Sequence, residues 1–162
     1  MQKYSKTQAV CRFVLMPLMV LTLGFIFVQS CLPADVSGSE SEAVGGFLSS
    51  LFPDGSFLQE FVRDNVRKIA HFAEHGLFGA EVAIYLLITG ASARRIAALA
   101  ATVPLSVGFV DETIQIFSGR GPSVADVWID IAGSLSIGTL AYLLGWLIAF
   151  ARSSAERHNE NK

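Results

Sequence analysis

"GFVDETIQIFSGRGPSVADVWIDIAGSLSIG", residues 108–138, decides how this chain must fold. Its two ends are apolar enough for bilayer hydrocarbon, yet it carries Asp111, Glu112, Arg120, Asp126 and Asp130. An ionised side chain facing mid-bilayer lipid costs about 2.5–3.5 kcal/mol on the lenient insertion scale. Several such costs rival the whole stability of a domain, about 5–15 kcal/mol. The charges must therefore face one another, or a wet cavity, inside a helix bundle.

Composition agrees. The 162 residues are 52% hydrophobic and 16% charged, against about 25% charged in soluble domains. Four apolar runs, about 10–31, 69–89, 96–117 and 124–151, approach or exceed the roughly 20 residues that cross a membrane as a helix. The expected fold is all-α, an integral membrane bundle of four transmembrane helices. A formal charge of −2 with no basic stripe excludes a nucleic-acid partner.

The first run has a rival reading. Lys3, Lys6 and Arg12 ahead of an apolar stretch resemble a signal peptide, and "VQSC" at 28–31 resembles a lipoprotein cleavage site. Gln29 is a poor residue there and the run is long for a signal, so an uncleaved helix is expected. Cys11 and Cys31 bracket this run. On a helix they lie roughly 30 Å apart, too far for a disulfide.

Cytoplasmic loops carry the excess of Lys and Arg. An inside N-terminus puts Lys3, Lys6, Arg12, Arg94, Arg95, Arg152, Arg157 and Lys162 in the cytoplasm and Arg63, Arg67, Lys68 and Arg120 outside. Both termini are therefore expected to be cytoplasmic. The chain divides into an N-terminal helix (1–31), an outer loop (32–67), a three-helix core (68–151) and a cytoplasmic tail (152–162). "PADVSGSESEAVGG" in the loop reads as mobile. Ser56 with Gln59 fits a capping box. The apolar periodicity from Phe57 to Ile69 fits either a helix end packed on its neighbours or an interfacial helix on the outer leaflet. The tail, with His158, reads as frayed and solvated.

Helical spacing gathers the polar groups. Lys68, His71 and His75 step by three and four, with Glu74 and Glu81 flanking them. Asp111 and Glu112 each stand one turn from Gln115, and Asp126, Asp130 and Gly133 step by four and three. Three helices present polar stripes at one depth, in the outer half of the membrane, with Glu81 deepest. The acids Glu74, Asp111, Glu112, Asp126 and Asp130 outnumber the fixed cations Lys68 and Arg120. Some carboxylates are therefore protonated or a cation binds. Arg120 suits either an intramolecular pair with Asp111 or Asp126 or a phosphate. Gly76 with Ala80, and Ser134 with Gly138, suit close helix packing. Pro104 should kink its helix.

These stripes resemble the VanZ-like family of bacterial membrane proteins. The matching stretches are "KIAHFAEHGLFG" (68–79) and "DETIQIFSGRGPSVADVWIDIAG" (111–133), within about residues 68–144. The family pattern falls on Lys68, His71 and Glu74, then Asp111, Glu112, Gln115, Arg120, Ser123, Asp126, Asp130 and Gly133. His75 departs from it, since the family often has an aromatic there, so the resemblance gives His75 no role. The resemblance implies a multi-pass protein of the bacterial plasma membrane. The family takes its name from a protein linked to resistance to teicoplanin, a lipid-anchored glycopeptide.

Three functions compete. An envelope protein would bind membrane lipid, a lipid-linked cell-wall precursor or a glycopeptide at its outer site. Lys68 and Arg120 would hold phosphate, and the carboxylates would orient them. A membrane enzyme acting on a lipid-linked phosphate would use His71 or Glu112 as base and Arg120 for developing charge, though no nucleophile constellation is visible around Ser123. A buried network could also simply fix helix register. "HFAEH" matches H-x-x-E-H, a zinc signature, but five residues match easily by chance. No metal and no cofactor is expected.

Overall fold

The structure, a computed structural model, describes residues 6–160. Five helices make up the all-α fold: α1 (Lys6–Cys31), α2 (Ala34–Ser49), α3 (Phe57–Ile88), α4 (Ala93–Phe117) and α5 (Val124–Glu160). Lys3 and Lys162, counted above, lie outside the described residues, as do the side chains of Lys6 and His158. Among the described residues three segments are long and apolar enough to cross a membrane: Cys11–Cys31, Ala93–Phe117 and Val124–Arg157. The remaining apolar run lies in α3. That helix has 32 residues, but Arg67, Lys68, His71, Glu74, His75 and Glu81 interrupt it.

Burial is inverted relative to a soluble protein. Among the described residues, only Ile26, Phe78 and Leu86 form a buried large-apolar core. The rest of the interior is largely polar: His71, His75, Glu81, Asp111, Glu112, Gln115, Arg120, Asp126 and Asp130. Outside stand Phe13, Leu21, Phe109, Trp128 and Leu147. Charged residues are almost never buried unless paired, and large apolar patches seldom face water. A lipid surround reverses both preferences.

Helix α3 is the centre. It packs most extensively on α5, and also on α2, α1 and α4. Small residues allow the α3–α5 approach. A Cβ at Gly79 would collide with the Ser134 backbone, and one at Gly133 with the Phe72 carbonyl. At Gly138 it would lie 2.9 Å from the Gly79 carbonyl. Ser134 Oγ donates to the His75 carbonyl across this seam at 2.8 Å. Gly76 and Gly138 thus pack as their spacing indicated, and Gly79 and Gly133 complete the contact. Pro104 is buried within α4. In α1, Thr22, Ile26 and Ser30 are buried at four-residue steps and form its inward stripe.

Two expectations are corrected. The acidic, Gly/Ser-rich stretch read as mobile forms α2, packed on α3. Gly45 permits this, because a Cβ there would press on the Val66 side chain at 3.2 Å. Composition alone undervalued α2 because its helical bonds are supported by a neighbour. The tail read as frayed continues α5 as helix to Glu160, with Arg152–Arg157 fully on the surface. The start of α3 follows the capping reading in part. Ser56 Oγ accepts from Gln59 N at 3.2 Å, but the Gln59 side chain accepts from Gly55 N at 2.8 Å. Phe57–Ile88 is one unbroken helix; Phe57, Leu58 and Phe61 in its first turns are exposed, and Val66 faces Gly45 of α2. Cys11 and Cys31 are both free.

Candidate functional site

The polar stripes of α3, α4 and α5 meet. His71 Nδ1 lies 3.0 Å from Asp130 Oδ1 and 3.7 Å from Asp111 Oδ2. His75 Nε2 lies 3.4 Å and 3.9 Å from the same two oxygens. The imidazoles stack at 6.2 Å, 11° from parallel, as a four-residue helical step dictates. Gly108 leaves room for Asp130, whose Oδ2 would lie 3.1 Å from a Cβ placed there.

Gln115, fully buried, ties this cluster to a second one. Its Nε2 donates to Asp111 Oδ2 at 3.1 Å and to Glu112 Oε1 at 2.9 Å. Its Oε1 accepts from Arg67 Nη2 at 2.6 Å. Arg67 also stands 3.7 Å from Asp126 Oδ2. From α1, Ser30 Oγ donates to Asp111 Oδ1. Deeper in the bundle, Thr22 Oγ1 donates to Glu81 Oε1 at 2.8 Å.

The α4–α5 turn is built locally. Gly119, at φ 75°, takes the left-handed conformation and closes α4. Arg120 N then donates to the Gln115 carbonyl at 3.1 Å, the long bond of a Schellman motif. This turns Arg120 back over the bundle, where its Nη1 donates to the Gln29 carbonyl at 2.9 Å. Ser123 caps α5: its Oγ accepts from Asp126 N at 3.3 Å, and its own N donates to Glu112 Oε2 at 2.6 Å. Its hydroxyl oxygen therefore serves the helix end as an acceptor.

Of the ten site residues read from the sequence, His71, Asp111, Glu112, Gln115, Asp126 and Asp130 form the linked core. Ser123 and Arg120 hold its rim. Glu74 lines the adjacent cavity. Lys68 does not join: it is exposed and takes part in none of these contacts. Arg67, one residue earlier, supplies that cation, because its stripe with His71 and Glu74 turns inward. Arg120 pairs with neither Asp111 nor Asp126; its partner is a backbone carbonyl of α1. His75, placed on the α3 stripe but given no role by the resemblance, stands beside Asp111 and Asp130; Ser30 and Thr22 were missed as partners. The two-turn, eight-residue spacing of Thr22 and Ser30 in a largely apolar run was the available signal.

A cavity of about 270 Å³ opens beside the cluster. Gln29, Glu40, Arg67, Glu74 and Arg120 are among its lining residues, so α2 forms one wall. Burial, and then the neighbouring Arg67 charge, pull the Arg120 guanidinium below its ordinary value.

A membrane bundle with a polar, carboxylate-rich centre is the class that fold and site define. The VanZ/LLP1 family model matches residues 13–151, and the chain belongs to that family. The match extends well beyond the motif stretches to include α1 and α2. No curated protein and no solved structure matches the chain.

Proposed function

We propose that this VanZ/LLP1 protein crosses the bacterial plasma membrane four times, with both termini cytoplasmic, and binds a phosphate-bearing lipid head group in the cavity between α1, α2 and α3. The observation that carries this reading is that Arg67 and Arg120 both line the cavity and are close enough for the Arg67 charge to act on Arg120. Two guanidiniums that repel each other are relieved by an anion between them, and their forked donors match phosphate oxygens. Their carboxylate and amide neighbours orient them. Helix α3 completes the fourth span, its polar residues shielded from lipid by α1, α4 and α5. A lipid-linked cell-wall precursor fits this chemistry, and altered access to it would change susceptibility to teicoplanin-type glycopeptides.

The test is binding of an isoprenoid phosphate to purified protein, with Arg120→Gln and Arg67→Gln as variants. Binding lost in both at normal folded yield supports the reading; unchanged binding ends it. A second reading, acid/base chemistry on the same lipid, is favoured by His71 held 3.0 Å from Asp130. Release of product from the bound lipid would distinguish it.

A further inference from the structure

We infer that His71, His75, Asp111 and Asp130 form a binding site for a first-row divalent transition-metal ion, of which zinc is the best fit. This goes beyond head-group binding and does not depend on it. One ligand atom from each residue lies within 4.8 Å of every other. Bonds of about 2.0–2.1 Å in a tetrahedral site put neighbouring ligand atoms roughly 3.3 Å apart. The four nitrogen–oxygen separations are 3.0, 3.4, 3.7 and 3.9 Å. The nitrogen–nitrogen and oxygen–oxygen pairs lie within 4.8 Å, so side-chain movement that draws the four residues together would complete the shell.

The second observation concerns unsatisfied atoms. Both nitrogens of His75 and Oδ2 of Asp130 have no hydrogen-bond partner. These residues are only 1% and 0% exposed. Buried polar atoms are nearly always satisfied, and a cation at the centre of the four residues would satisfy His75 Nε2 and give Asp130 a second coordinating oxygen. Charge points the same way. Glu74, Asp111, Glu112, Asp126 and Asp130 outnumber Arg67 and Arg120, and a divalent ion offsets part of that excess. Asp111 is further held by Ser30 and Gln115, the outer-shell support typical of metal-binding carboxylates.

Donor chemistry selects the metal. Calcium and magnesium prefer all-oxygen shells. Imidazole with carboxylate and no thiolate suits zinc and its first-row neighbours. The ligands come from α3, α4 and α5, so the ion would cross-link the three core helices. From the sequence no metal is expected, because "HFAEH" is short enough to match by chance and the resemblance gives His75 no role. In the folded chain Glu74 lies outside the quartet, and Asp111 and Asp130 complete it.

The experiment uses full-length protein in detergent, without a polyhistidine tag, stripped with chelator and dialysed against Zn²⁺. Bound zinc is counted by mass spectrometry. About one zinc per chain is expected, with affinity lowered by more than about a hundredfold in Asp130→Asn and in His75→Gln, beyond the roughly 10–100-fold of outer-shell changes. Asp54→Asn, on an exposed turn, should bind as the parent does. Monodisperse parent protein that retains no zinc overturns the proposal, as does Asp130→Asn binding with parental affinity. Should the variants fail to fold, X-ray absorption on the zinc-loaded parent decides. Two imidazoles plus oxygen support the site; a thiolate or all-water shell overturns it. Metal counting involves no lipid, so its outcome is independent of head-group binding.

Discussion

Replacing Gln115 by Leu should destabilise the bundle more than any other near-isosteric change in α4. Gln115 is fully buried and makes three side-chain hydrogen bonds, to Asp111, Glu112 and Arg67. All three partners are ionisable. Hydrogen bonds to charged groups are worth about 1.5–3 kcal/mol each, whereas side-chain bonds between membrane helices average about 0.6 kcal/mol. Two of the three join Gln115 to its own helix and lie in the dry interior. The Arg67 side chain is 39% exposed, so solvent screens its bond and the lower figure applies to it. About 3–4 kcal/mol is a fair total, taking the lower end for each of the two buried bonds, with much of it the cost of leaving one oxygen of each carboxylate without a donor. For a chain of this size that corresponds to a midpoint roughly 6–16 °C lower, at about 2–4 °C per kcal/mol. Thermal unfolding of detergent-solubilised protein, followed by loss of the monodisperse peak, measures it. A Gln115→Leu midpoint within about 2 °C of the parent would refute the idea that Gln115 binds the acidic groups into one network.

Two further outcomes are expected. Gly79→Val and Gly133→Val should each abolish folded protein, because their side chains would enter the backbone of the facing helix; Gly121→Val, with open space at its Cβ, should leave the yield unchanged, and all three are read by fluorescence-detected size exclusion. On the proposed orientation, a membrane-impermeant maleimide applied to intact cells should label exposed Cys31 at the end of α1. Labelling that instead requires lysis, and is absent from Cys31→Ser, would reverse the assigned orientation.

Much of the site was legible because helical spacing is a short-range property. Asp111, Gln115, Asp126 and Asp130 had to face inward once their helices were apolar elsewhere, and the energetic penalty for lipid-facing charge left no alternative. Choice between Lys68 and Arg67 was not legible. Adjacent residues on a helix differ by about 100° in direction, and Arg67 is the one whose direction brings it to Gln115 of α4 and Asp126 of α5. The contribution of α1 was missed for a related reason. Single Ser and Thr residues in an apolar run are ordinary, and their partners, Asp111 and Glu81, lie 81 and 59 residues away.

Sequence alone determined the membrane environment, the helical class and the inward stripes, since each follows from composition and from a period of 3.6 residues. Tertiary structure alone decided that α2 is a helix and a cavity wall, that His75 stands beside Asp130, and that Arg67 and Arg120 share one cavity. Those relations join residues far apart in the chain, and the close α3–α5 approach allowed by Gly79 and Gly133 is what sets His75 beside Asp130.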